Sequence, residues 1–300
     1  MSINSKLHEP LPPPLLVLVG QTASGKSDLA IQLARRLNGE IICADSWTVR
    51  REVNIGTAKP TPEQRKLVPH HLVDIVGPDD DFTAAVFKSL ALAAIDDIRR
   101  RGKLPVVVGG TGLYIDGLLY DYSFLPAGDR SLRIALNELS VYELRQRVEK
   151  AAISTGGIDT QNKRRLIRLL ETNGSRPTRH QLRDNTLIIG LSLGSVELSA
   201  RIIERTDAML MNGLEAEVLT IAERYGWDCQ ALKGIGYREW HDYFLGVQTR
   251  TETHDKIIKS TRDLAKRQQT WFKRNKSIHW YTAPVNVDEI VDLVTTNLSK

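Results

Sequence analysis

The sequence predicts an α/β fold, a parallel sheet flanked by helices with a helical insertion, and three observations carry that reading. Short continuous apolar runs alternate with amphipathic helical stretches, as expected for strands buried on both faces beneath covering helices. The first apolar run ends in a glycine-containing loop that opens a helix. Between residues 123 and 185 the strand-like runs disappear and only helical periodicity remains.

The elements follow in order. Pro10, Pro12, Pro13 and Pro14 make residues 1–14 an extended or disordered tail. Leu15 to Val19 is a strand, and Ala30, Leu33, Ala34 and Leu37 repeat at helical spacing after it. Glu40 to Ala44 forms a second strand ending at Asp45, and Leu104 to Val108 a third ending at Gly109-Gly110. Between these two, Phe87, Leu90, Ala91, Ala94 and Ile98 mark a helix. Helices are expected over Arg133 to Ala152 and Lys163 to Glu171, a returning strand over Thr186 to Leu193, and mainly helix from Ser199 onward. The expected organisation is therefore a tail (1–14), a core (15–122 and 186–300) and a helical insertion domain (123–185).

Composition narrows the function classes. With 300 residues, 41% hydrophobic and 26% charged, the chain has the make-up of a globular enzyme. Its net charge of +5 points weakly to a polyanionic partner. Cys43 and Cys229 stand far apart without ligand spacing, so neither a disulfide framework nor a zinc site is expected. The adjacent His70 and His71 point to different sides of an extended chain and read as structural. No stretch approaches the roughly 18 apolar residues of a membrane span, so a cytoplasmic protein with no membrane partner is expected.

The segment Gly20-Gln21-Thr22-Ala23-Ser24-Gly25-Lys26-Ser27 matches G-x-x-x-x-G-K-[ST] between a strand and a helix, the context this motif requires. Glycines let backbone amides face phosphate oxygens, Lys26 adds a point charge, Ser27 can ligate magnesium, and the helix start favours anions. The core is thus P-loop NTPase-like. The motif does not by itself select a nucleotide: the strand ending at Val108 runs into Gly-Gly-Thr rather than an acid, whereas P-loop NTPases hold magnesium through an acid there. Asp45 is the strand-end acid nearby, as a second magnesium contact or a base. Kinase and non-kinase readings remain open on these residues alone.

Beyond the loop, the phrases GQTASGKS, ADSWTVRREVNIGTAKP, HHLVD, FTAAVF, VVVGGTGLYIDGL, NKRRLIRLLE, MLMNGLEAEV, GIGYREW and TRDLAKRQQTWFKRN occur in that order over nearly the whole chain. Together they resemble the tRNA dimethylallyltransferases, or tRNA isopentenyltransferases. The resemblance implies a phosphate loop that binds dimethylallyl diphosphate, with Thr22 to Ser27 around the diphosphate and Mg2+, and no need for ATP hydrolysis. It implies that Asp45 is the general base on the adenine amine, that Arg205, four residues before Met209-Leu210, contacts the diphosphate, and that Thr111 contacts tRNA. The substrate implied is the anticodon stem-loop of tRNA, modified at the adenosine on the 3′ side of the anticodon by a monomeric enzyme.

An exocyclic adenine amine is a poor nucleophile, so the reaction needs a good leaving group and proton removal. Asp45, Arg205 and Lys26 are the candidate catalytic residues. Asp45, Ser46, Trp47, Thr48 and Thr111 are candidate contacts to the target base, which must leave its stack. In the insertion, Arg164 and Arg168 share a helical face opposite Leu166 and Leu170. With Arg165 and Arg133 they are the candidate phosphate contacts. Lys259, Arg262, Lys266 and Lys273 form a further basic stripe opposite Ile258, Ala265 and Phe272, near Trp271 and Trp280.

The chain departs from the family pattern Asp-Ser-x-Gln-x-Tyr-Arg, having Thr48 for the glutamine and Arg50 for the tyrosine. Gln21 replaces a proline, and Asp159-Thr160-Gln161 replaces His-Pro-Asn. Two rivals therefore stand beside transfer to tRNA: a small-molecule kinase, and an RNA-binding homologue with impaired transfer.

Overall fold

The computed structural model describes residues 14–126 and 128–298, so most of the proline-rich opening lies outside the described residues. Backbone contacts divide the chain into two compact units, residues 1–119 with 182–300 and residues 120–181.

The larger unit begins with β1 (Leu15–Gly20), α1 (Lys26–Arg36), β2 (Gly39–Cys43), α2 (Pro62–Leu67), β3 (His70–His71), α3 (Ala84–Arg100), β4 (Leu104–Gly109) and α4 (Gly112–Leu119). The smaller unit holds α5 (Arg130–Glu138), α6 (Val141–Lys150) and α7 (Lys163–Glu171). The chain then returns with β5 (Thr186–Ser192), α8 (Ser195–Met211), α9 (Leu214–Tyr225), α10 (His241–Phe244), α11 (Arg250–Phe272), β6 (Ile278–Thr282) and α12 (Val287–Leu298). The six strands pair in parallel in the order β3-β2-β4-β1-β5-β6. This is the parallel α/β architecture expected.

Every residue of β1 is buried, which is why it reads as an unbroken apolar run without alternation. Leu16 and Leu18 of β1, Ile41 and Cys43 of β2 and Val106 and Val108 of β4 share one face. There they pack against Leu29, Ala30, Leu33 and Ala34 of α1. A second cluster, built on Leu214, Val218 and Ile221 of α9, closes around Tyr237 and Trp240. Among the described residues no helix is long and apolar enough to cross a membrane, and no cluster of metal-ligating side chains occurs.

Three elements differ from the sequence reading. The helix expected over Arg133 to Ala152 is two helices, because Ser140 caps a new one: its hydroxyl accepts from the Glu143 amide while the Glu143 carboxylate accepts from the Ser140 amide. β6 interrupts the helical C-terminal third. Its burial is confined to Ile278, with Tyr281 half-buried and the rest exposed, so this edge strand carries little apolar signal. β3 has only two residues, too few for any period.

In the smaller unit, Leu136, Leu144, Val148, Leu166, Ile167 and Leu169 form the core. Asp129 and Asn162 cap α5 and α7 through their side chains.

Candidate active site

β1 hands the chain directly to the phosphate loop. Gly20 has φ of +145°, and a β-carbon there would collide with the Leu191 carbonyl of β5. The loop closes at Gly25, whose φ of +90° sets the left-handed turn that opens α1. Lys26, the first helical residue, folds back and donates from Nζ to the Gln21 carbonyl. The loop lines a cavity of about 570 Å³.

The second wall comes from β2. Strand alternation puts Ile41, Cys43 and then Asp45 on one face, and all three line the cavity. Asp45 Oδ1 accepts from the amides of Trp47 at 2.8 Å and Thr48 at 3.2 Å. The carboxylate therefore caps its own turn while its second oxygen makes no hydrogen bond among the described residues. Thr48 is buried, and its hydroxyl finds no hydrogen-bond partner among the described residues.

The third wall is α8. Arg205 is sunk into the site and donates to the Thr22 hydroxyl at 3.4 Å and the Thr57 carbonyl at 3.5 Å. Burial lowers its pKa, opposed by the Asp45 carboxylate. Burial, and then the Arg205 guanidinium, pull the Lys26 ammonium down to about 7, with Asp45 opposing. Lys26, Arg205 and Asp45 thus sense one another across a single cavity.

The third glycine phrase closes the floor. Gly109 abuts Ala44, so a side chain there would strike its carbonyl. Thr111 donates its amide to that same Ala44 carbonyl at 3.4 Å, and its hydroxyl accepts from the Ser46 amide at 3.3 Å. A β-carbon on Gly112 would stand 2.5 Å from the Trp271 ring, whose Nε1 donates to Asp116 at 3.0 Å. These glycines permit close approach, and Thr111 splices two loops together. The half-buried Trp47 ring packs against Gly234 and lies 5.9 Å from the Arg50 guanidinium. Arg50 itself is buried and donates to the carbonyls of Gly77, Pro78 and Asp80, which explains how a charged residue fits there.

The structure brings Thr22 to Ser27, Asp45, Thr48 and Arg205 around one space, whereas Gly20 and Gln21 stand behind the lining. Among the residues the sequence reading missed, Gln268 is central: its side chain accepts from the Thr22 amide at 2.7 Å and donates to the Gly110 carbonyl at 3.1 Å. Lys59 also lines the cavity, bonded to the Arg50 carbonyl and to Asp74. The GTAKP segment is held by Glu217, which accepts from the amides of Asn54, Ile55 and Gly56 and from the Tyr237 hydroxyl. The motif phrases containing these residues were visible in sequence, but no local period pairs them.

The basic residues of the smaller unit divide. Arg164 and Arg165 are exposed, and their side chains have no hydrogen-bond or ion-pair partner among the described residues. Arg133 instead pairs with Glu171 through two bonds of 2.6 Å. Arg168 donates to the carbonyls of Leu125 and Pro126 at 2.9 and 2.8 Å and also meets Glu171. Both have partners within the smaller unit, while their side chains stay 52% and 36% exposed.

Magnesium fits the donor set. The exposed Ser27 hydroxyl and the Asp45 carboxylate, both hard oxygen ligands, line the cavity that holds the phosphate loop.

Residues 48–275 match the family model described as IPP transferase. A protein of Anoxybacillus flavithermus named tRNA dimethylallyltransferase is 42% identical over 278 residues, 89% of each chain. The crystal structure of a full-length tRNA isopentenylpyrophosphate transferase from Bacillus halodurans superposes with a TM-score of 0.76 at 36% identity, covering 96% of this chain and 97% of that one. A eukaryotic dimethylallyltransferase, captured acting on tRNA, gives a TM-score of 0.74 at 25% identity over 96% of this chain and 77% of its own.

Proposed function

Because the chain belongs to the IPP transferase family, we propose that it moves the dimethylallyl group of dimethylallyl diphosphate onto the N6 amine of an adenosine on the 3′ side of the anticodon in tRNA. The observation that carries this reading is the convergence of Lys26, Arg205 and Asp45 on one cavity: two cations for a leaving diphosphate and one carboxylate for a proton.

In the reaction the bond between the prenyl C1 and the diphosphate oxygen breaks and the N6–C1 bond forms. The N6 proton passes to Asp45, and the electron pair leaves with diphosphate. Lys26, Arg205 and the amides of the phosphate loop meet the negative charge that develops on the leaving group. Gln268 fixes the loop at Thr22, which holds those amides on target. The amides of Trp47 and Thr48 hold the Asp45 carboxylate in place. The Ser27 hydroxyl would hold a magnesium ion, which would supply further charge neutralisation for the leaving group. Thr48, Trp47 and Ser46 present the base-contacting edge, and Arg164 and Arg165 meet tRNA phosphates. A monomer working in the cytoplasm completes the reading.

The test is to incubate the protein with labelled dimethylallyl diphosphate, magnesium and unmodified tRNA. Label in RNA is expected. ATP consumption without RNA labelling means a kinase, and tight RNA binding with neither means an impaired homologue.

A further inference from the structure

Arg201 lies one turn before Arg205 on α8, and a spacing of four turns both guanidinium groups to the same side. Both line the cavity around the phosphate loop. Arg205 meets the loop near its opening, at Thr22. Arg201 meets it at its close: a β-carbon on Gly25 would stand 3.6 Å from Arg201 Nη1. The two arginines therefore bracket the loop.

Their circumstances differ. Arg205 is sunk into the site and among the described residues bonds neutral oxygens, whereas Arg201 donates to Glu197 at 2.8 Å, one turn earlier on the same helix. That pair is 38% and 46% exposed, so it is weakly held and easily exchanged for a better anion. A diphosphate carries more negative charge than one lysine and one arginine neutralise. A planar guanidinium with two free edges suits two phosphate oxygens at once.

We infer that Arg201 is a second diphosphate-binding arginine, which leaves Glu197 for the outer phosphate when the prenyl donor enters and holds the diphosphate until it is released. This rests on the reading that the loop binds a prenyl diphosphate. Arg205 then serves the phosphate next to the breaking bond, while Arg201 grips donor and product equally, so its loss affects binding rather than the chemical step.

Calorimetry with inorganic diphosphate and magnesium, without tRNA, tests this directly. Arg201→Ala weakens diphosphate binding about 10- to 100-fold, the range for a lost charge-assisted contact. It raises KM for dimethylallyl diphosphate by a similar factor, with kcat at saturation within about threefold. Arg201→Lys recovers part of the affinity, and Glu197→Gln, which frees the guanidinium, binds diphosphate as tightly as the unaltered protein or more so. Unchanged diphosphate affinity in a folded Arg201→Ala protein overturns the assignment. So does a fall in kcat alone, or a loss of affinity in Glu197→Gln as large as in Arg201→Ala. If the unaltered protein binds no diphosphate, the prenyl-diphosphate reading itself fails and this assignment falls with it.

Discussion

Gln268 and Thr22 are joined by a hydrogen bond of 2.7 Å from the Thr22 amide to the Gln268 side-chain oxygen, although 246 positions separate them. The same amide group donates to Gly110, so one side chain on α11 fixes both glycine loops. A β-carbon on Gly110 would stand too close to this side chain to be accommodated without a shift. Gln268→Glu keeps the acceptor but loses the donor and adds a negative charge beside the phosphate loop. Steady-state kinetics are expected to show kcat/KM for the donor falling about 10- to 100-fold, while Gln268→Ala costs about 1–2 kcal/mol of stability in denaturant titrations. Kinetics identical to the unaltered protein would remove Gln268 from the site.

Asp45 does two jobs that substitution can separate. Its Oδ1 caps the turn through Trp47 and Thr48, a task the amide oxygen of asparagine can perform. Proton acceptance needs the carboxylate. Asp45→Asn is expected to lower turnover about 10²- to 10⁴-fold while tRNA affinity stays within about threefold. Equal losses of binding and turnover would mean that the cap, not the base, is the function.

These two cases show what local pattern reveals. The phosphate loop and Asp45 were legible because a strand end and a helix start mark them within a few residues, while Arg205 was reached only through the family resemblance of the phrase that follows it. Gln268 and Glu217 act across the fold on loops far away in sequence, and no periodicity encodes such a partner. Arg201 was hidden differently: a spacing of four from Arg205 is visible, but which face of α8 meets the loop is not. In the fold, β1 and β5 were legible as unbroken apolar runs, while β6, an edge strand, was obscured by its exposed residues.

Lys26 makes the site sensitive to pH. Its folded-state value of about 7 lies below the ordinary 10.5. Between those values the folded protein holds fewer protons than the unfolded chain, so this group's contribution to stability improves as pH rises through the window and is unfavourable below it. Ligand binding runs the other way, because an anion stabilises the ammonium. Prenyl diphosphate affinity is expected to be fullest below pH 7 and to decline above it, with proton uptake on binding at pH 8. Calorimetry in buffers of different ionisation enthalpy reads this uptake. Lys26→Arg, charged throughout, is expected to abolish it, and uptake that persists in that variant would assign the proton elsewhere.

The arginines of the smaller unit separate by partner. Arg164→Ala and Arg165→Ala are expected to weaken tRNA binding and to flatten its dependence on salt by about one counterion each, with thermal stability unchanged. Arg168→Ala removes donors from two backbone carbonyls and from Glu171, and is expected to lower stability by about 1–3 kcal/mol. Glu171, fully enclosed, is held below the ordinary 4.5 first by its bonds to Arg133, with Arg168 adding to them and burial opposing. Its contribution is therefore present above pH 4.5 and lost as pH falls through the depressed value. Acid unfolding followed in Glu171→Gln should show that extra loss removed.

Thr48 offers the sharpest test of base recognition. Its hydroxyl is buried, bonds no group among the described residues and belongs to a residue lining the cavity, so a ligand is the partner that would satisfy it. Thr48→Val keeps the shape and removes the hydroxyl. If the hydroxyl meets only substrate, thermal stability is unchanged or slightly higher, because no protein hydrogen bond is lost. At the same time kcat/KM for tRNA falls about tenfold and donor binding stays as it was, one neutral hydrogen bond being worth about 0.5–1.5 kcal/mol. Unaltered tRNA kinetics in Thr48→Val would show that the hydroxyl at this position takes no part in reading the base.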